Sequence, residues 1–363
     1  MTAEPVHSRL RAPFPYFGGK SRVAPAVWER FGSVPRYVEP FAGSLAVLMA
    51  RPVPFTGREI VNDSDGLLVN MWRALAADPE AVAHHADWPA AEIDLHARHA
   101  WLVGQRESIT SRLEGDPDWY DAKAAGWWLW GISLWVGGGW CSGRGPWRSV
   151  DGEMVNSDDG QGIHRKLPHA GDDGRCIHRQ IPHAGGGRGI HRKHPTVTGG
   201  SPFHGVHALA RREGGILAAI QPLAERLRDA LIFCGDWRRA VTPAVMLGTG
   251  RGRGASAEGV CAVFLDPPYD HADRELGLYA HDENIAGAVR DWALANGDDL
   301  RLRIALCGYE GISMPGWVEL PWKTAGGYSG QGKSTRAAAN TRRERVWFSP
   351  HCHRAGLFDG ASG

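Results

Sequence analysis

The chain has 363 residues, of which 43% are hydrophobic and 22% are charged, as in ordinary globular proteins, and its formal net charge is +1. This near-neutral charge by itself neither favours nor excludes a nucleic-acid partner. No N-terminal apolar run resembles a signal peptide, and the most apolar stretch, 122–136, is too short to span a bilayer, so we expect a cytoplasmic protein without membrane segments.

The six cysteines indicate neither a disulfide framework nor a zinc site. None of them forms a C-x-x-C pair, and their positions are widely spaced along the chain. We therefore expect reduced cysteines.

The first 75 residues have the pattern of an α/β fold. Short apolar runs predict strands, and helical spacing of apolar residues predicts the segments that connect them. The strands are predicted at 37–39 and 59–61, and the helices at 23–31, 41–49 and 66–75.

The middle of the chain differs in composition from both ends. Residues 76–140 are rich in tryptophan and helical in pattern, and the run 122–136 is predicted to be a buried helix whose tryptophans belong to the core. Residues 137–205 are dominated by Gly, Pro, His and Arg, and the regular Pro and Gly forbid a long helix.

Within 163–195 an I-H-R motif recurs every 13 or 14 residues. The stretch between residues 161 and 195 contains seven basic residues and only two acidic ones, so its charge is strongly positive. This loop-like stretch is therefore a candidate surface for binding DNA phosphates. The repeated histidines lack cysteines or carboxylates in ligand spacing, and we expect no metal there. The candidate DNA-binding residues are Arg165, Lys166, Arg179, Arg192 and Lys193.

The α/β pattern returns near residue 228. Apolar runs predict buried strands at 231–234, 261–265, 302–307 and 345–348, with a helix at 284–295. The sequence thus predicts a catalytic domain formed by 1–75 and 228–350, an inserted recognition region at 76–227, and a tail at 351–363.

The motif Asp266-Pro267-Pro268-Tyr269 directly follows the predicted strand at 261–265. A carboxylate at this end of a strand lies where ligands bind in open α/β sheets. The prolines remove backbone N–H donors and leave carbonyl acceptors, and the tyrosine offers a stacking surface. Acceptors beside a ring suit a flat aromatic amine, with one hydrogen donated to Asp266 and one to the Pro267 carbonyl. A simple strand-ending turn is the alternative.

Two further elements suit a nucleotide-like ligand. Glu39-Pro40-Phe41-Ala42-Gly43-Ser44 forms a small-residue turn between a strand and a helix, where a ligand can approach the backbone. Asp63 ends the next strand, where acidic residues hold ribose hydroxyls, although a helix N-cap is an equal alternative.

One motif predicts a different chemistry. Residues 327–334 fit the P-loop pattern G-x-x-x-x-G-K-S, but the preceding stretch 318–322 is broken by Pro321, whereas a working P-loop follows a buried strand. We interpret it as a Gly-rich loop and expect no NTPase activity.

In combination these motifs resemble the Dam-like DNA adenine N6-methyltransferases. The shared order is F-G-G-K at 17–20, E-P-F-A-G-S at 39–44, a long insert, G-D-W at 235–237 and D-P-P-Y at 266–269. The resemblance covers about 13–75 and 230–350. It implies a Rossmann-like methyltransferase sheet with an inserted helical and loop-rich DNA-recognition domain, S-adenosylmethionine as cofactor and double-stranded DNA as substrate.

The resemblance also implies roles for single residues. Asp266, Pro267 and Tyr269 would hold a flipped-out adenine for transfer of a methyl group to N6. The cofactor would contact two groups of residues: Tyr16, Phe17 and Lys20 at its methionine part, and Glu39, Phe41, Gly43, Asp63, Asp236 and Trp237 around the remainder. Such enzymes occur in bacteria and phages, and the resemblance makes a companion restriction endonuclease a candidate partner.

The sequence departs from the family at Leu45, where members often have a second glycine. It also departs in the I-H-R repeats, which have no counterpart in the best-known members, so the resemblance does not imply which DNA sequence is recognised. N4-cytosine methylation is the rival chemistry, because that amine is similar. The F-G-G-K element and Asp266, rather than serine, before the prolines favour adenine. A DNA-binding relative that has lost catalysis is a further alternative, opposed by the intact 266–269 motif.

Overall fold

The computed structural model describes residues 10–16, 19–135, 140–141, 147–150, 153–156, 210, 214–248, 259–268, 285–322 and 343–354. Phe17, Tyr269, the I-H-R repeats with their five candidate DNA-binding residues, and the Gly-rich loop 327–334 lie outside these ranges.

A seven-stranded sheet forms the frame of the described chain. Its strands are β1 Arg36–Glu39, β2 Arg58–Asp63, β5 Leu231–Cys234, β6 Cys261–Leu265, β7 Leu302–Tyr309, β8 Val318–Pro321 and β9 Glu344–Phe348, and a separate hairpin pairs β3 Trp147–Val150 with β4 Glu153–Asn156. The spatial order in the sheet is β5-β2-β1-β6-β7-β9-β8. The first five strands in this order are parallel, while β9 runs antiparallel to both of its neighbours.

Helices connect the parallel strands and cover the sheet. They are α1 Ala24–Phe31, α2 Ala46–Met49, α3 Gly66–Ala77, α4 Pro79–Ala86, α5 Glu92–Gly115, α6 Ala122–Ile132, α7 Ile216–Leu227, α8 Pro243–Leu247 and α9 Ala286–Asn296, with a 3-10 turn at Trp237–Arg239. None of the helices in the described ranges combines the length and the apolar character that a membrane span requires.

The predicted fold class is confirmed: the chain has a Rossmann-like α/β sheet whose central strands are parallel. The strand β6 is buried at all five positions because it lies between β1 and β7, and its sequence CAVFL is accordingly apolar throughout. The strand order reverses between β1 and β6, so this pair forms the topological switch point at which open α/β sheets bind ligands.

The Trp-rich helices share a core with one face of the sheet. Trp128 and Trp130 of α6 are buried, as is Trp135, and they belong to the same apolar cluster as Val27 of α1 and Leu68 of α3. The prediction that 122–136 contains a buried helix is confirmed. The division of the chain into a catalytic domain and an inserted recognition region stays a prediction.

The prediction that Pro321 breaks the stretch 318–322 was wrong. Pro321 does not break the stretch 318–322, because it is the last residue of the strand β8 at the edge of the sheet, where a missing N–H is tolerated. This strand is largely exposed, and it therefore still differs from the buried strand that precedes a working P-loop. The described cysteines, in contrast, are free and buried, as expected.

Candidate functional site

The carboxyl ends of four neighbouring parallel strands bring the predicted acidic residues to one edge of the sheet. Glu39 is the last residue of β1, and Asp63 is the last of β2. Asp63 pairs in register with Cys234 of β5, and Asp266 directly follows β6. Residues that are hundreds of positions apart in the sequence thereby line one crevice at the switch point.

The turn after β1 depends on a glycine at position 43 and on a hydrogen bond to Asp63. Gly43 has a φ of 46°, and a Cβ at this position would lie 2.8 Å from the ring of Tyr16. The N–H of Gly43 donates to one Asp63 carboxylate oxygen at 3.0 Å. Its carbonyl accepts from the indole of the buried Trp72, also at 3.0 Å. These bonds fix the backbone of the turn, as the predicted ligand contact requires.

The structure shows how a leucine is accommodated at position 45, where family members often have glycine. Its φ is 53°, a left-handed conformation that glycine adopts without cost and that costs a leucine about 1–2 kcal/mol. The side chain is fully buried in the main apolar cluster. It therefore points into the core, and burial of the leucine offsets the strain.

Asp63 does not cap the following helix. Asp65 is the N-cap of α3 and accepts from the N–H of Leu67, while Asp63 accepts from Gly43 and from the N–H of Asp65. Of the two roles weighed for Asp63, capping is thus taken by Asp65. The cofactor role of Asp63 stays a prediction.

Glu39 is a buried carboxyl group with a raised pKa. The hydroxyl of Tyr37 donates to its Oε2 at 2.9 Å. Burial raises the pKa of Glu39 from 4.5 to about 8, although the bond from Tyr37 acts in the opposite direction. At neutral pH most of the protein therefore carries a protonated Glu39 at the end of β1.

Asp266 lies against Lys20 at the switch point. The distance between the Lys20 ammonium and Asp266 Oδ2 is 2.9 Å, and that to Glu344 Oε2 of β9 is 3.7 Å. The Asp266 side chain keeps 22% of its surface exposed, whereas Lys20 keeps 5%. Burial raises the pKa of Asp266, although Lys20 opposes this shift. The buried Pro267 follows, so the carboxylate and a backbone carbonyl without a following N–H donor lie side by side.

The other side of the crevice is aromatic. Phe41 and Trp237 pack with ring centroids 6.0 Å apart, and Trp237 is buried. Asp236 is half-exposed and accepts from the N–H of Arg238 at 2.7 Å. Trp237 Nε1 and Asn62 Oδ1 are buried without a hydrogen-bond partner in the described ranges, so this wall offers an unsatisfied donor and an unsatisfied acceptor.

The structure brings most of the predicted site residues together, but Lys20 pairs with Asp266 rather than standing apart as a cofactor contact. Tyr16, Glu39, Phe41, Gly43, Asp63, Asp236, Trp237, Asp266 and Pro267 lie along this edge, and Lys20 does so as the ion-pair partner of Asp266. The sequence reasoning missed Glu344 and Asn62. Asn62 directly precedes Asp63 and could have been found from this position, whereas nothing in the sequence near Glu344 links it to Lys20.

The chain is similar to a known family over its N-terminal part. The model of the D12 class N6 adenine-specific DNA methyltransferases matches residues 16–92. This range includes Lys20, the turn at 39–44 and Asp63, whereas Asp266 lies beyond it. No curated protein matches the chain. The predicted resemblance to adenine-specific DNA methyltransferases is thereby confirmed, and it supports DNA adenine methylation as the activity.

Proposed function

We propose that the protein transfers a methyl group from S-adenosylmethionine to N6 of an adenine that is flipped out of double-stranded DNA. The observation that carries this proposal is the position of Asp266 at the switch point of the sheet, with 22% of its side-chain surface exposed and Pro267 directly after it. The family match at 16–92 supports adenine as the base.

The residues along the β1, β2 and β5 ends fit the cofactor. A sulfonium and an ammonium group suit the carboxylates of Asp63 and Asp236, and the protonated Glu39 would be a neutral polar contact beside them. The buried acceptor of Asn62 and donor of Trp237 lack partners within the described chain, and a polar ligand would satisfy them. Tyr16, Phe17 and Lys20 would lie near the methionine part, with Phe41 and Gly43 beside the remainder. The cofactor supplies an activated methyl group.

Asp266 and Pro267 act on the amine of the base. The N6 lone pair is delocalised into the adenine ring, which makes the amine a poor nucleophile. When the Asp266 carboxylate and the Pro267 carbonyl each accept one N–H hydrogen, the lone pair becomes more localised and is directed toward the methyl group. Positioning and electrostatics therefore contribute most of the catalysis. Tyr269 would stack on the ring.

Access to the target requires base flipping, because N6 is out of reach in a stacked duplex. The basic residues of the I-H-R repeats would contact DNA phosphates and hold the duplex against the crevice.

The test is methyl transfer by variants of Asp266. Radiolabelled S-adenosylmethionine and mixed-sequence DNA are incubated with the protein, and the product is sequenced with modified-base detection. Asp266→Ala should abolish detectable transfer. Asp266→Asn keeps the size but replaces a charged acceptor by an amide that opposes the substrate amine, so the rate should fall at least about 100-fold, as on removal of one strong transition-state contact.

Asp291→Asn is the matched control, because Asp291 lies on the surface of α9 with its side chain 70% exposed. This variant should methylate DNA at the normal rate. Circular dichroism and cofactor binding by calorimetry should be unchanged in all three variants. Near-normal turnover by Asp266→Ala would refute the assignment of the site, and N4-methylcytosine as the product would replace adenine by the rival base.

A further inference from the structure

The ammonium group of Lys20 joins three segments that are distant in the sequence. Lys20 lies just before α1, Asp266 follows β6 in the middle of the sheet, and Glu344 begins the antiparallel strand β9. The Lys20 Nζ is 2.9 Å from Asp266 and 3.7 Å from Glu344. All three side chains are largely removed from water, and Glu344 is 7% exposed.

Several groups from other elements surround this ion pair. The Cys307 thiol of β7 forms a hydrogen bond with Asp266, Glu39 of β1 contributes a further carboxyl group, and Trp322 follows β8 with its ring 5.5 Å from the Lys20 ammonium. Burial works to lower the pKa of Lys20, but Asp266 and Glu344 outweigh it and raise the pKa above its usual range. The lysine is therefore charged throughout the working pH range.

The charges and exposures of Lys20, Asp266 and Glu344 indicate which of them contacts the substrate and which supports it. A buried carboxylate is costly unless a cation lies beside it, and removal of that cation leaves an uncompensated charge. Asp266 is also the more exposed member, so it faces the crevice while Lys20 lies behind it. Glu344 contacts the same ammonium from the β9 side, which limits where the lysine side chain can lie.

We propose that Lys20 and Glu344 are positioning residues for Asp266: Glu344 fixes the Lys20 ammonium, and Lys20 keeps the Asp266 carboxylate charged and aimed at the substrate amine. This inference rests on the proposed function of Asp266. It assigns Lys20 a role that differs from the cofactor contact implied by the family resemblance, and the two roles have different measurable consequences.

The first test is the pH profile of single-turnover methyl transfer. Lys20→Met removes the charge and keeps the apolar stem. At pH 7 its rate should fall, because loss of the lysine charge raises the pKa of Asp266 further and lowers the fraction of the carboxyl group that is ionised. The acidic limb of the profile should move to higher pH, so activity should recover in part toward pH 9. Lys20→Arg should restore most of the rate at pH 7.

The matched control is Lys123→Met, because Lys123 is also a lysine over aromatic rings, 5.0 Å from Trp101 and 4.5 Å from Trp127, but lies on the surface. Its profile should match that of the wild type. Glu344→Gln should shift the limb in the same direction as Lys20→Met but by less, because the lysine remains beside Asp266. Combining Lys20→Met with Glu344→Gln removes both charges from the cluster.

The second test does not depend on activity. Carbon-13 NMR of protein labelled at the aspartate carboxyl carbon gives the pKa of Asp266, with the Asp266→Asn spectrum to assign the signal. Lys20→Met should raise this pKa, and Lys123→Met should leave it unchanged. If the wild type methylates no DNA, the proposed function fails, and this measurement alone decides the role of Lys20.

Two results would overturn the inference. One is a Lys20→Met variant that binds S-adenosylmethionine at least about tenfold more weakly while its pH limb and the pKa of Asp266 stay as in the wild type. That outcome assigns Lys20 to the cofactor. The other is loss of activity at every pH with an unchanged pKa of Asp266, which leaves Lys20 with a purely structural role.

Discussion

The raised pKa of Glu39 predicts an unusual dependence of stability on pH. In the folded protein Glu39 keeps its proton up to about pH 8, whereas in the unfolded chain a glutamate releases it near pH 4.5. Between these values the folded state binds more protons than the unfolded state, so this residue lowers the free energy of unfolding as pH rises. Glu39→Gln keeps the size and the acceptor for Tyr37 but cannot ionise.

The magnitude follows from the two pKa values. With one pKa unit equal to about 1.36 kcal/mol, the contribution of Glu39 to the free energy of unfolding falls by about 4 kcal/mol between pH 4.5 and pH 8. Between pH 5 and pH 8 the change is about 3.5 kcal/mol. At about 1.3 °C per kcal/mol for 363 residues, the Tm of the variant should gain about 5 °C relative to the wild type over this interval.

The assay is thermal unfolding of both proteins at half-unit steps from pH 5 to pH 9. Glu225→Gln is the matched control, since Glu225 is an exposed glutamate of α7, and its Tm difference from the wild type should not vary with pH. A difference between Glu39→Gln and the wild type that is equal at pH 5 and pH 8 would show that Glu39 is ionised throughout, and the reasoning from burial would be wrong.

Two further predictions concern the cofactor and DNA. Asp63→Ala should weaken S-adenosylmethionine binding by about 1.5–3 kcal/mol, as on loss of charged hydrogen bonds. Asp65→Ala should remove the cap of α3, worth about 1 kcal/mol, together with the ion pair to Arg106, so it should lower stability by more than the cap alone and leave cofactor affinity intact. Calorimetry and thermal unfolding of both variants separate these effects, and equal losses of affinity would contradict the assignment. Replacing Arg165, Arg179 and Arg192 by alanine should weaken DNA binding and reduce its log–log salt slope by about one per lost phosphate contact, with no change for Arg290→Ala and none on adding a chelator. An unchanged slope in the triple variant would place the repeats away from DNA.

Strands in the middle of the sheet were predictable because burial on both faces makes their sequences apolar. The run 261–265 coincides with β6, which is buried throughout. The run 231–234 coincides with β5, but this strand lies at one edge of the sheet and is only partly buried, so the expected burial was wrong there. At the opposite edge β8 is largely exposed and ends on a proline, so its sequence resembles a loop. The β3–β4 hairpin was likewise missed, because four-residue strands carry little periodicity.

In the candidate site, the residues that end strands were predictable and their partners were not. Asp63 and Asp266 stand out because each follows an apolar run. The motif order assigned Lys20 to the cofactor, but its ion pair with Glu344 depends on how β9 inserts beside β7, which no local pattern encodes. The sequence analysis weighed a capping role for Asp63 without considering Asp65, which stands two residues later and is the N-cap of α3.

The parallel pairing of β1 with β6 has a consequence for synthesis of the protein. Arg36 and Val38 of β1 pair with Cys261 and Val263, which are translated about 225 residues later. At about 5–20 residues per second, β1 waits roughly 10 to 45 seconds on the ribosome before its second neighbour exists. During this interval the pair β1–β2 has an open, apolar edge, the kind of surface that pairs with other nascent chains. A chain that stops before residue 261 keeps this edge permanently, and so the segment with the clearest family signature, 16–92, is left without the strand that completes the centre of its sheet.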